Sequence, residues 1–162
     1  MAVVEMKSLL ESGAHFGHIK RLWNPKMKKY IYDKGERGDI HIINLDITLE
    51  KIQEAYDFVK EAVKGGASVL FVGTKKQAKD SIKEEAQRCG MYYMNERWPG
   101  GTLTNFKTVR ASIDKLNKIT QRELTGEIDL LPKKEAALLL EEKAKLEANF
   151  GGIKTMTQIP QV

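Results

Sequence analysis

The apolar run Ser-Val-Leu-Phe-Val-Gly at residues 68–73, followed directly by Thr-Lys-Lys-Gln at residues 74–77, constrains the fold more than any other stretch of the sequence. A short apolar run bounded by glycines is typical of a strand that is buried on both faces of a parallel sheet. Thr74 is suited to cap a helix over Lys79–Arg88, and Gly90 would end that helix. The stretch therefore predicts a strand, a basic turn and a helix, which together form the core of a βαβ unit.

The rest of the composition is that of a soluble globular protein, with 41% apolar and 30% charged residues in a chain of 162. The apolar runs are too short to span a membrane, and Glu5 and Lys7 interrupt any signal-peptide pattern. The one cysteine, Cys89, cannot form an internal disulfide, and we expect it to be a small core residue. These features predict a cytoplasmic protein that has no membrane partner.

The basic charge is concentrated in one segment. Residues 19–37 carry seven basic and two acidic side chains, an excess that equals the net charge of +5 of the whole chain. Trp23, Tyr30 and Tyr32 lie among these charges. Such a local excess indicates a polyanion bound at one place, and the alternative is a solvated basic loop.

The residues before the central strand predict two helices and two strands. In order, these are a helix over residues 6–13, strands over residues 30–32 and 39–44, and a helix over residues 47–63. Gly13 would cap the first helix and Asp46 would begin the second. A glycine-containing loop over residues 34–38 suits a hairpin between the two strands, and Pro25 argues against a helix at the start of the basic segment.

The residues after the central helix predict a strand at 91–94. It is the third strand of a β–α–β–α–β order that starts with the strand at 39–44 and continues through the central strand. This order predicts parallel strands with right-handed crossovers. Beyond the loop at 95–105, apolar residues follow heptad-like spacing on two segments. These positions are Phe106, Val109, Ile113 and Leu116, then Ala136, Leu139, Lys143, Leu146 and Phe150, where the charged Lys143 weakens the regularity of the second segment. We therefore expect an α/β domain over residues 1–104, an antiparallel coiled-coil helical hairpin over 105–150, and the start of a return to the α/β domain over 151–162.

The predicted sheet is incomplete, because three strands are few for a sheet. Residues 159–162 are typical of the approach to another strand. One sheet edge and part of a helix face would lack cover. We expect the chain to be a fragment, or the missing part to be supplied by something else.

Sequence motifs give little support to catalysis. No phosphate-binding loop of the G-x-x-x-x-G-K-[ST] type, no G-x-G-x-x-G and no G-x-S-x-G is present. His15 and His18 are three residues apart and are weak candidates for a shared metal, but the sequence nominates no third ligand. We expect neither a metal nor a cofactor.

Basic and aromatic side chains recur together in three stretches, residues 20–29, residues 75–76 and residues 97–105. Lysine and arginine neutralise phosphates, and tryptophan offers a flat surface to an exposed base. The predicted RNA-binding residues are Lys20, Arg21, Trp23, Asn24, Lys26, Lys28, Lys29, Lys75, Lys76, Arg97, Trp98, Gly100, Gly101, Thr104 and Asn105. Gly100 and Gly101 would let the backbone approach RNA closely. The alternative is that both tryptophans are core residues.

Four ordered blocks of the sequence resemble the bacterial small-subunit ribosomal protein S2 family. They are residues 8–18 with 23–27, residues 71–77, residues 97–106 and residues 150–154, so the resemblance covers essentially the whole chain. It implies a flavodoxin-like, three-layer parallel α/β domain with an inserted coiled-coil hairpin. Members of the family continue for several more strands beyond the point where this sequence ends.

The resemblance also implies a function. It is that of a non-catalytic structural component of the small ribosomal subunit, which binds rRNA near the junction of head and body and supports translation. Neighbouring ribosomal proteins, including ribosomal protein S1 at the mRNA exit side, would be partners. Two other hypotheses stay open: a nucleotide- or small-molecule-dependent α/β enzyme that uses the turn after Gly73, and a protein-interaction module that uses the hairpin.

Overall fold

The computed structural model describes residues 3–32 and 38–162. These residues mix helices with two small two-stranded sheets, which agrees with the predicted α/β class. The chain divides into two units, Met1–Gly65 and Gly66–Val162. In the described part of the chain, no helix combines the length and apolar character needed to cross a membrane.

The first unit has two helices, two strands and two 3₁₀ helices among its described residues. In chain order these are α1 (Met6–Glu11), β1 (Phe16–Ile19), 3₁₀ helices at Lys20–Leu22 and Pro25–Tyr30, β2 (Ile40–Ile42) and α2 (Leu45–Lys64). β1 and β2 are antiparallel, with Phe16 opposite Ile42 and a bulge before the next pair. A Cβ at Gly17 would lie only 2.9 Å from the carbonyl oxygen of His41, so the close approach of the two strands requires glycine there.

The basic segment differs from its prediction. The prediction of a strand at residues 30–32 is wrong. Tyr30 is the last residue of a 3₁₀ helix, and Ile31 forms only an isolated β-bridge to Ile43. Pro25 starts that helix, because a proline in the first turn removes an N–H that has no helical partner in any case. The hairpin loop predicted at 34–38 falls mostly on residues 33–37, which lie outside the described residues.

Helix α2 begins two residues earlier than its predicted start at residue 47. Asn44, not Asp46, is its N-cap, since the Asn44 side chain accepts a hydrogen bond of 3.0 Å from the backbone N–H of Asp46. This hydrogen bond satisfies one of the amide groups that the first turn of a helix leaves without a partner.

The second unit contains the predicted βαβ arrangement. Its elements are β3 (Leu70–Val72), α3 (Lys79–Arg88), β4 (Tyr92–Met94), α4 (Phe106–Leu124), a 3₁₀ helix at Glu127–Leu130, α5 (Lys133–Phe150) and a 3₁₀ helix at Gly151–Ile153. β3 and β4 are parallel, with Leu70 opposite Tyr92 and Val72 opposite Met94. The bounds of α3 are those predicted, and the strand predicted at 91–94 is confirmed as β4.

Four details correct the predictions for the sheet and its neighbours. The strand predicted at residues 39–44 is β2, and among the described residues it pairs with β1 in antiparallel and not in parallel fashion. Val72 is 47% exposed, so the central strand is not buried on both faces. Ala78 and not Thr74 holds the N-cap position of α3. Cys89 is exposed and is not a core residue.

The last residues extend the edge of this parallel pair. The backbone N–H of Leu70 donates to the carbonyl oxygen of Val162 at 2.8 Å, and the N–H of Val162 donates to the carbonyl oxygen of Ser68 at 3.3 Å. This alternation is the hydrogen-bond pattern of parallel strands. It agrees with the strand-like approach predicted for residues 159–162.

The core of the second unit lies between the sheet, α4 and the segment after α5. Met94, Val109, Ile113, Ile153 and Met156 are buried together. All four apolar positions predicted for α4 are buried or half-buried, and Ile119 continues them. The predicted positions on α5 are half-buried, and ion pairs from Lys115 to Glu142 and from Lys143 to Glu123 join the two helices. α4 and α5 therefore pack through the predicted faces.

Candidate nucleic-acid interface

The predicted RNA-binding residues of the first unit lie on and between the two consecutive 3₁₀ helices. The Asn24 side chain accepts a hydrogen bond of 3.0 Å from the backbone N–H of Lys26 and so caps the second helix, whose first residue is Pro25. This cap leaves the side chains of Lys26, Lys28 and Lys29 exposed. The segment is therefore built locally, by a cap and a proline, and presents its charges to solvent.

Aromatic rings accompany these charges. Trp23 is half-buried, and its ring packs on that of His41 with centroids 4.8 Å apart and planes inclined by 51°. The ammonium of Lys29 lies 4.7 Å from the centroid of the Tyr30 ring, within the range of a cation–π contact. Trp23 is thus neither a fully buried core residue nor a free surface ring.

The predicted residues of the second unit lie on two neighbouring loops. Lys75 and Lys76 follow β3, and the loop with Arg97 follows β4. Because parallel neighbours end at the same edge of a sheet, both loops lie beyond the same strand ends. An ion pair of 2.5 Å between Lys79 and Glu96 joins the start of α3 to the second loop. The structure therefore places the turn at 75–76 and the loop at 97–105 beyond the same edge of the sheet.

A buried hydroxyl that the sequence did not single out holds the second loop. Thr102 is 1% exposed, and its hydroxyl donates to the carbonyl oxygen of Pro99 at 2.7 Å. The backbone N–H of Asn105 donates to the carbonyl oxygen of Gly101 at 2.7 Å, and the Asn105 side chain accepts from the hydroxyl of Thr108 at 3.1 Å. These bonds fix a compact turn.

The outer surface of that turn is open. Trp98 is 38% exposed, Gly100 and Thr104 are exposed, and a Cβ at Gly100 would meet no atom within 4 Å. The interpretation of Trp98 as a core residue is therefore wrong. Arg97, Trp98 and Gly100 are therefore all accessible to a ligand.

Most of the predicted cations lack an acidic partner in the part of the chain that the structure describes. Within residues 3–32 and 38–162, no carboxylate pairs with Arg21, Lys26, Lys28, Lys29, Lys75, Lys76 or Arg97, whereas Lys20 does have an interaction. On α2, by contrast, Lys51 pairs with Glu54 at 2.7 Å, and the hydrogen bond to that carboxylate raises the pKa of Lys51. Other described lysines, such as Lys118, are also unpaired, so the distinctive feature is the combination of unpaired cations and aromatic rings.

The two histidines considered as metal candidates gain no further ligand from the described residues. His18 is exposed, and Nδ1 of His15 is buried without a hydrogen-bond partner among those residues. Across residues 3–32 and 38–162, no three His, Cys, Asp or Glu side chains come together in a way that could hold a metal ion.

Sequence reasoning missed two positioning features of this interface. Thr102 and the Lys79–Glu96 ion pair organise the second loop, but threonine and helix-end charges are too common to stand out. For the predicted RNA-binding residues of the first unit, the Asn24-Pro25 pair was an available signal of the second 3₁₀ helix, since an asparagine followed by proline favours turn or helix initiation.

Comparisons with known proteins match this sequence over nearly its whole length. The sequence profile described as Ribosomal protein S2 matches residues 9–162. Two curated relatives, both named small ribosomal subunit protein uS2, come from two strains of Treponema pallidum, and each is 57% identical over all 162 residues. The chain spans 55% of the length of each of these relatives. This chain belongs to the ribosomal protein S2 family.

Proposed function

We propose that this chain is a structural, non-catalytic part of the small ribosomal subunit and binds rRNA through two groups of residues. The first group is Lys20, Arg21, Trp23, Asn24, Lys26, Lys28 and Lys29, and the second is Lys75, Lys76, Arg97, Trp98, Gly100, Gly101, Thr104 and Asn105. The observation that carries the proposal is that, Lys20 apart, the cations of both groups have no acidic partner among the described residues, and that each group also contains a tryptophan that is not fully buried. Membership of the family supports the same conclusion.

Each residue type has a distinct role in this proposal. The lysines and arginines contact phosphates, which gives affinity without reading sequence. Trp23 and Trp98 stack on unpaired bases, and the glycines at 100–101 admit the RNA backbone. Asn24, Thr104 and Asn105 donate hydrogen bonds to sugar or base edges.

The finer architecture is part of the proposal. A flavodoxin-like, three-layer parallel sheet is supported by the β3–α3–β4 unit and by the pairing of Val162 beside β3. An inserted antiparallel coiled-coil hairpin over 105–150 is supported by the packing of α4 on α5. Residues 1–104 and 151–162 would then belong to one α/β domain.

Contacts with neighbouring ribosomal proteins, including ribosomal protein S1, form a second part of the proposal, together with a ribosomal, cytoplasmic location. Leu124 and Leu130 are 77% and 85% exposed around the turn between α4 and α5, which favours a protein contact there. Replacing the exposed Leu124 and Leu130 together by serine should keep rRNA binding, because neither side chain belongs to the core, and should reduce incorporation into subunits. Full incorporation of that variant would contradict a role for the hairpin.

Replacing Lys26, Lys28 and Lys29 together by alanine should weaken binding to small-subunit rRNA by roughly tenfold or more, because three phosphate contacts are lost. The dependence of log affinity on log salt should become shallower by about 2–3 for the same reason. Filter binding at several salt concentrations measures both quantities.

A matched control removes three lysines that already have acidic partners: Lys51, Lys64 and Lys145. This control carries the same change in net charge but should keep the salt dependence of the wild type. Equal effects of the two triple variants would show that only net charge matters and would contradict a localised interface. A saturable thermal shift with a nucleotide would instead favour the enzyme hypothesis.

A further inference from the structure

The first unit contains a cavity of about 160 Å³ beside the basic segment. Its walls include Trp23, Asn24, Met27, Tyr30, His41 and Ile43. The buried side chain of Leu45 is not among its lining residues.

The 3₁₀ helix at Pro25–Tyr30 explains why three of these residues share one face. A 3₁₀ helix has three residues per turn, so positions i and i+3 are superimposed along its axis. Asn24, Met27 and Tyr30 follow this spacing and all line the cavity. Lys26, Lys28 and Lys29 fall on the remaining faces of the same helix. The helix therefore separates an apolar, aromatic wall from a set of flanking cations.

The walls suit a flat aromatic ligand that has a polar edge. Trp23 and Tyr30 contribute rings, and Met27 and Ile43 contribute apolar surface. Asn24 uses its side-chain oxygen to accept from Lys26, which leaves its amide N–H groups as donors without a protein partner in the described residues. Nε2 of His41, on the ring that packs against Trp23, is buried and has no hydrogen-bond partner in the same part of the chain.

The volume limits the size of the ligand. Sites for drug-sized molecules and cofactors usually enclose roughly 300–1,000 Å³. A cavity of about 160 Å³ is smaller and has room for one ring system, not for a whole nucleotide or cofactor. The phosphates of such a ligand would have to lie outside, where the cations of the helix are.

We infer that this cavity receives a single unstacked base of RNA, held between the Trp23 ring and the Met27–Tyr30 face, while its backbone phosphates contact the flanking lysines. The inference rests on the proposed function, since the base belongs to the bound rRNA. It gives the stacking role proposed for Trp23 a defined site, in which the polar groups of Asn24 and His41 are available to the edge of the base.

Filling the cavity tests this inference. Met27→Trp places a larger side chain at the wall, and we expect it to reduce affinity for bacterial small-subunit rRNA roughly tenfold, the effect of losing one base stack. The salt dependence should not change, because no phosphate contact is removed. The matched control is Leu10→Trp, since Leu10 and Met27 are both 48% exposed and Leu10 lies on α1, away from the cavity lining.

Ultraviolet crosslinking of the wild-type chain to the same rRNA gives a second readout that needs no substitution. Mass spectrometry should find a nucleotide adduct on Trp23, Tyr30 or His41. Adducts confined to other segments, or equal affinities of Met27→Trp and Leu10→Trp, would overturn the inference while leaving rRNA binding intact. Failure of the wild-type chain to bind rRNA in a salt-dependent way would instead reject the proposed function itself.

Discussion

Replacing Gly152 by alanine is expected to lower the free energy of unfolding by at least about 3 kcal/mol, at the upper end of what overpacking costs. Gly152 lies directly against β4. A Cβ at this position would overlap the carbonyl oxygen of Tyr93 and come within 2.7 Å of its ring. Backbone atoms of a paired strand cannot move aside as the end of a flexible side chain can. The strand or the segment after α5 would therefore have to shift.

The matched control for this substitution is Gly100→Ala. A Cβ there meets no atom within 4 Å, and the backbone angle φ of Gly100 is not positive. Its stability should stay within about 0.5 kcal/mol of the wild type. Urea denaturation followed by far-ultraviolet circular dichroism compares the two variants, and equal stabilities would contradict the close packing of Gly152 on β4.

Replacing Ile113 by alanine should destabilise the chain by about 2–5 kcal/mol. Ile113 is fully buried in the core that joins α4 to β4 and to the segment at 153–156. Removing its side chain loses apolar burial and leaves a cavity that the surrounding helices and strand can fill only in part. Thermal and chemical denaturation both measure this loss.

Leu124→Ala is the control on the same helix, because Leu124 is 77% exposed near the end of α4. We expect its free energy of unfolding to change by less than about 0.5 kcal/mol. If Leu124→Ala were as destabilising as Ile113→Ala, the core would not lie where the structure has it.

The helices of the second unit were predictable because their information is local. Gly90 indicated where α3 ends, and heptad-like spacing gave the inward face of α4, including Val109 and Ile113. The caps of α2 and α3 were wrong by a few residues, since Asn44 and Ala78 occupy positions assigned to Asp46 and Thr74. Several neighbouring residues satisfy the same capping preference, and only the final backbone geometry selects one.

The strands were less predictable because pairing is not local. Periodicity indicates that residues 40–42 form a strand but does not name a partner, and the actual partner, β1, has a sequence with histidine and glycine that carried no strand signal. The 3₁₀ helix at Pro25–Tyr30 was missed for a related reason. The helix is only six residues long, so its three-residue period repeats only twice, at Asn24, Met27 and Tyr30. The lysines between these positions give the segment no apolar pattern that would indicate a helix.

The candidate interface was predictable in its chemistry but not in its organisation. The sequence identified the cations and tryptophans, yet whether a described carboxylate pairs with Lys26 or Arg97 depends on how other segments fold. The same holds for Trp98, whose exposure decided against a core role. Whether the two groups of cations form one surface stays a prediction, and rRNA contact by each named residue remains our proposal.

The most direct test of the central claim is the salt dependence of rRNA binding by the wild-type chain. If about five phosphates are contacted, log affinity should fall against log salt with a slope of magnitude about 3.5–4.5. Filter binding to small-subunit rRNA between low and moderate salt measures that slope. A slope near zero would contradict an interface based on these lysines and arginines.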